Sequence, residues 1–213
     1  MLPHAGQPVA SLGPELGAGR AVMLMLHGRN AAPRNILELA GWLPHPDFTY
    51  LAPAAAGNTW YPLSFLTELE RNQPGLDSAL WVVDQLVHAA EAKGIPRRRI
   101  VLLGFSQGGC LASEYAVRHA GRFGGVVALS GGLIGPPGTR WDNPGCFDGC
   151  PVFLGCSDRD AHVPQTRVAE SAEVFRRMGA AVTERIYPGL GHQVNEDELG
   201  FVKGLMEQVA AGD

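Results

Sequence analysis

An α/β fold, with a mostly parallel central sheet and helices on both of its faces, is predicted by three observations on the sequence. Apolar, β-rich runs alternate with helically spaced apolar stripes from one end of the chain to the other, the pattern of strands buried on both sides and joined by crossover helices. One run, Arg99-Ile100-Val101-Leu102-Leu103, enters Gly104-Phe105-Ser106-Gln107-Gly108-Gly109 and leaves into Cys110-Leu111-Ala112, describing a strand that turns sharply into a helix with a serine at the apex. The length of 213 residues suffices for one sizeable hydrophobic core, and no Pro/Ser-rich linker divides it, so residues 1–213 are expected to form a single domain.

Taken in order, the strands are expected over 21–27, 49–52, 100–105, 125–130, 152–156 and 182–187, with 8–12 adding a short antiparallel edge. Between them, Pro74 at a first-turn position precedes Leu76, Leu80, Val83, Leu86, Val87 and Ala90, a stripe at helical spacing that stops at Gly94 and Pro96. Further helices are expected over 34–42, 108–119, 165–178 and 196–209. The connection from Ser130-Gly131-Gly132 to Pro151 is rich in Gly and Pro and too short for a large lid domain, which predicts an open groove.

The turn at Ser106 has the pattern of the nucleophile elbow of an α/β-hydrolase, the other reading being a glycine-rich turn whose serine caps a helix. Its glycines have a mechanical task, because a serine held at a strained backbone angle needs neighbours without Cβ atoms where helix and strand approach. Nothing in it matches a P-loop, which would end in Gly-Lys-Ser/Thr.

Composition narrows the function. The formal net charge is −4, from 17 Lys+Arg against 21 Asp+Glu, so no basic field is available for a nucleic-acid backbone. The one basic cluster, Arg97-Arg98-Arg99, reads as a solvated loop before a strand. The N-terminus lacks the basic start and apolar stretch of a signal peptide, and no apolar run reaches the length of about 18 residues that a membrane span needs, so no membrane insertion and a cytoplasmic location are expected. The four cysteines at 110, 146, 150 and 156 fit reduced thiols. Cys146 and Cys150 lack the further ligands of a metal site and read as free thiols, with a local disulfide as the alternative.

A serine hydroxyl needs a base within hydrogen-bond reach, itself held by a third group. In this fold the chain order is nucleophile, acid, histidine, each after a strand. Of seven histidines, His88 and His119 fall in helices and His4 and His45 in Pro-flanked loops, which reads as a surface role for all four. His27 lies upstream of the serine. His192, in Tyr187-Pro188-Gly189-Leu190-Gly191-His192, follows the last strand and is the expected base, with His162 as its competitor. Asp160 is the expected acid, and Asp158 is read as ordering the turn. The oxyanion of a tetrahedral intermediate needs N–H donors; Gln107, after the serine, and Arg29, in Leu26-His27-Gly28-Arg29-Asn30, are placed to give them. A neutral His192 is required as base, so kcat/KM should fall on the acid side.

These residues resemble the phospholipase/carboxylesterase family of α/β-hydrolases, which includes bacterial carboxylesterases and acyl-protein thioesterases. The likeness rests on Leu26-His27-Gly28, Gly104-Phe105-Ser106-Gln107-Gly108-Gly109, Ser130-Gly131-Gly132, Asp160 with Val163-Pro164, and Gly191-His192. It implies a triad of Ser106, Asp160 and His192, an oxyanion hole from Arg29 and Gln107, and neither metal nor organic cofactor. The early loop and Asn58-Thr59-Trp60-Tyr61-Pro62 depart from the thioesterases toward small bacterial esterases. Trp60, Tyr61, Phe65 and Leu133 are candidates for the substrate pocket, with core packing as the other reading. The expected activity is hydrolysis of small to medium carboxylic esters through an acyl-enzyme, by a monomer or homodimer. The rivals are a thioesterase or lysophospholipase on long acyl chains, and a non-catalytic ligand-binding module of the same fold.

Overall fold

Strand-forming residues buried on both faces dictate the architecture. In the computed structural model, which describes residues 2–212, the strands are β1 (Val9–Leu12), β2 (Ala21–Leu26), β3 (Phe48–Pro53), β4 (Ile100–Phe105), β5 (Gly125–Leu129), β6 (Pro151–Ser157) and β7 (Ala181–Tyr187). They form one sheet in the order β1-β3-β2-β4-β5-β6-β7. β1 pairs antiparallel with β3 and every other pairing is parallel.

The helices are α1 (Pro33–Leu37), α2 (Gly75–Ala92), α3 (Gln107–Arg118), α4 (Gln165–Arg177) and α5 (Glu196–Ala211). Alternation along β2 divides the core. Val22, Leu24 and Leu26 pack with Leu76, Val83 and Val87 of α2, Leu111 and Tyr115 of α3, and Val168 and Phe175 of α4. Ala21, Met23 and Met25 pack on the opposite face with Ile36 and Leu37 of α1 and Val202, Leu205 and Met206 of α5. Successive side chains of a strand point to opposite faces, so a strand sandwiched between helices is apolar throughout.

The helix expected over 34–42 is instead a short α-helix followed by a 3₁₀ turn, Glu38–Trp42. Pro44 accounts for where the turn stops, since Leu43 before it lies outside the helical region, at φ −123° and ψ 46°. The Arg97–Arg99 cluster is a 3₁₀ turn, and the side chains of Arg97 and Arg99 bond within the molecule. Arg97 pairs with Glu91 at 3.1 Å and lies over the Phe123 ring, and Arg99 donates to the Gly212 carbonyl.

The chain leaves β2 for β3 on one side and then crosses to β4 on the other, so its direction of winding reverses between β2 and β4. In an open α/β sheet the crevice at the carboxyl end of such a switch point is where ligands bind. The loops after β2 and β4 carry Arg29 and Ser106. Residues 131–150 form no helix or strand.

Candidate active site

The serine is presented by backbone geometry. β4 ends at Phe105, α3 begins at Gln107, and Ser106 between them has φ 56° and ψ −121°, a conformation that serine adopts only when its surroundings impose it. Its amide is held by the Leu129 carbonyl of β5 at 2.9 Å. A Cβ at Gly104 would lie 2.1 Å from the Gly108 carbonyl oxygen, and one at Gly108 would lie 2.0 Å from that of Leu26. Strand and helix therefore meet only because both positions are glycine.

Three loops then converge. Ser106 Oγ lies 2.8 Å from His192 Nε2, and His192 Nδ1 lies 2.7 Å from Asp160 Oδ2. A carboxylate at Nδ1 fixes the imidazole proton there and leaves Nε2 free to accept from the serine. The Asp160 side chain is fully buried, and its Oδ1 accepts the His162 and Val163 amides at 2.8 and 3.0 Å. Burial works to raise its pKa, but the donors from His192, His162 and Val163 outweigh it and hold the carboxyl below the usual range. The His192 ring sits between Phe105 and His162, with centroids 4.8 and 4.7 Å away. His162 thus packs beside His192 with its amide turned to Asp160, while its ring takes no place in the hydrogen-bonded line.

The loop carrying His192 is fastened by residues after β6. Asp158 Oδ1 accepts the Gly189 amide at 2.7 Å, and Ser157 Oγ accepts the Gly191 and Arg159 amides at 2.9 and 3.1 Å. Asp158 therefore braces the neighbouring loop more than its own turn. Behind this loop, α5 begins with a capping box in which Asn195 and Glu198 exchange side-chain-to-backbone bonds. Glu198 is completely buried. Its Oε1 has no partner, and burial pushes its pKa up to about 7.

A cleft of about 540 Å³ opens over Ser106, with Gly28, Arg29, Tyr61, Leu63, Phe65 and Gln107 among its lining residues. Arg29 and Gln107 thus flank the serine. Gln107, as the first residue of α3, has an amide with no partner inside the helix. Cys110 lies at the cleft too; burial pushes its thiol up to about 11, and it meets the Tyr61 hydroxyl.

Of the four pocket candidates, Tyr61 and Phe65 line the cleft and Trp60 and Leu133 do not. Trp60 is fully buried because its indole N–H donates to the His27 carbonyl at 2.9 Å and its ring packs on His27 and His4. Leu133 is core, its amide bonded to Ser171 Oγ and its carbonyl to Arg167. His4 departs from its expected surface role: it is buried, accepting the Ala56 amide at Nδ1 and donating from Nε2 to the Trp60 carbonyl, and burial lowers its pKa. His27 is a buried strut between Gly28 and Ala55. All four cysteines are free thiols, Cys146 exposed and Cys150 buried.

Comparison with known proteins identifies the family. The family model described as Phospholipase/Carboxylesterase matches residues 17–209. An acyl-protein thioesterase 1 of Eremothecium gossypii is 31% identical over 166 residues, 73% of this chain and 68% of that protein. One of Gibberella zeae is 33% identical over 118 residues, and the match spans half of that protein's length. Among solved structures, a phospholipase/carboxylesterase from Dyadobacter fermentans superposes with a TM-score of 0.92 and 38% identity over 97% of this chain and 99% of that one. The chain therefore belongs to the phospholipase/carboxylesterase family of α/β-hydrolases.

Proposed function

We propose that the protein is a metal-independent serine carboxylesterase that forms an acyl-enzyme on Ser106. The observation that carries this reading is the unbroken line from Asp160 through both ring nitrogens of His192 to Ser106 Oγ, at 2.7 and 2.8 Å. Ser106 Oγ forms a bond to the ester carbonyl carbon as His192 Nε2 takes its proton. Asp160 stabilises the resulting imidazolium. The carbonyl oxygen becomes an oxyanion, to which the Arg29 and Gln107 N–H groups donate. Collapse breaks the bond to the alkoxy oxygen, which leaves as the alcohol with the proton from His192. Water then repeats the sequence on the acyl-enzyme and frees the acid.

Small to medium esters are the substrates that suit the cleft, since the buried rings of Tyr61 and Phe65 bound it on the side of the 61–65 segment. The names of the fungal relatives favour a second reading, a thioesterase acting on long acyl chains.

The test is hydrolysis of p-nitrophenyl acetate, butyrate and octanoate, with a matched thioester, by wild type and Ser106→Ala, together with labelling by an organophosphate serine probe. Activity lost on both substitution and labelling is the expected result, with a fall of several orders of magnitude. A steep rise in kcat/KM with chain length favours the second reading. Turnover that persists in Ser106→Ala overturns the mechanism, and a wild type that neither turns over nor labels supports a ligand-binding module.

A further inference from the structure

Residues 60–63 run along the cleft, and two side chains hold all four of their backbone units. Gln107 Oε1 accepts the Trp60 amide at 3.0 Å, and its Nε2 donates to the Tyr61 carbonyl at 2.8 Å. Arg29 donates from its two terminal nitrogens to the Pro62 and Leu63 carbonyls, at 2.7 and 2.5 Å. Its guanidinium carbon lies 6.0 Å from the centre of the Tyr61 ring. Arg29 and Gln107 are also the residues whose N–H groups the proposed mechanism turns toward the oxyanion.

We propose that the Arg29 and Gln107 side chains form a clamp that positions the 60–63 wall of the cleft and so determines which acyl chains fit beside Ser106. This rests on the esterase reading above. An arginine kept only for solubility would spend its donors on water, whereas both ends of this fork turn to consecutive carbonyls more than thirty positions along the chain. Charge-assisted bonds of this kind are shorter and stronger than neutral ones. Gln107 is buried, so its amide keeps both bonds or leaves unmet polar groups. Trp60 is separately anchored by His27 and His4, and the Leu63 amide and Ser64 carbonyl by the buried Asn72 side chain, so losing the Arg29 grip releases the Pro62 and Leu63 carbonyls between two fixed points and lets the wall shift without unravelling. Arg29 is thus a positioning residue for the pocket wall.

The test compares kcat and KM for p-nitrophenyl acetate, butyrate and octanoate in wild type, Arg29→Met and Arg29→Lys, with thermal midpoints. The ratio of kcat/KM for octanoate to that for acetate should change about ten-fold in Arg29→Met, mostly through KM, because a misplaced wall acts on the chain that touches it. Arg29→Lys, which keeps the charge but cannot span two carbonyls with a planar fork, should lie between the two. It carries the same ratio test if Arg29→Met does not fold. A residue that merely supports folding would lower all three esters together, so an unchanged ratio overturns the clamp. If wild type is labelled at Ser106 by the organophosphate probe while the ratio stays constant, only the clamp fails. If wild type is not labelled, the esterase reading fails first.

Discussion

Ser106 owes its position to atoms that belong to other residues. The Leu26 and Gly108 carbonyls leave no room for a side chain at Gly108 and Gly104, and that close approach holds the serine at its positive φ. Gly108→Ala places a methyl group where backbone already stands, and unlike the end of a flexible side chain it cannot be moved aside. We expect destabilisation of about 3 kcal/mol or more, which for a chain of this size lowers Tm by roughly 10 °C in a differential scanning measurement. A midpoint within a degree or two of wild type would mean that strand and helix separate easily. At this scale the sequence was legible where chemistry demands a residue type in a fixed order: Ser106, Asp160 and His192 were each named from strand-end position and chain order, and the structure brings them together. The destinations of the Arg29 and Gln107 side chains were not legible. Their partners are backbone atoms, which every residue carries, so the contact leaves no mark in the sequence. His4 was misread for a related reason, since a short Pro-flanked segment gives no sign that it will fold under Trp60.

Among the elements, α5 links stability to pH. Glu198 serves two purposes in its first turn, closing the capping box with Asn195 and filling the space beside Gly155, where its Oε1 blocks any Cβ. A negative charge suits a helix N-terminus, but burial prevails and raises the carboxyl to about 7. The folded protein therefore keeps this proton up to about pH 7, while the unfolded chain releases it near 4.3. Between those values the folded state binds more protons, so this group makes stability fall as pH rises, by up to about 3 kcal/mol above pH 7. Glu198→Gln removes the charge and keeps the shape. Its Tm should exceed that of wild type at pH 8, and the gain should shrink at pH 5; an equal gain at both would show that ionisation is not involved. The sequence located every strand and the ends of α2 to α5 to within a few residues, because apolar runs and Gly/Pro stops are strong signals. It failed at 34–42, where apolar spacing alone does not distinguish one α-helix from a short α-helix followed by a 3₁₀ turn.

For the whole molecule, the consequential feature is how the cleft is bordered. The 131–150 connection contributes no helix or strand, and the residues lining the cleft over Ser106 come from the segments around 28–31, 61–65, 105–110, 162–163 and 192. Hydrolysis of a p-nitrophenyl ester should rise smoothly with concentration through the point at which the substrate forms micelles; an abrupt increase there would reveal a moving cover. No helix among the described residues is long and apolar enough to cross a membrane. The sheet order was legible in outline from alternation of strands and helices, but the reversal between β2 and β4 that places the cleft is a property of chain routing, which no local pattern records. The bonds that Arg29 gives the Pro62–Leu63 end of the segment reach its main chain and ignore its side chains, whereas Trp60 and Tyr61 are also packed in the core. Leu63, an exposed side chain at the cleft, can therefore be exchanged without undoing the scaffold behind it, which makes this position the place where a lineage could shift its diet of esters by single substitutions, and where a saturation library would retain the most working members.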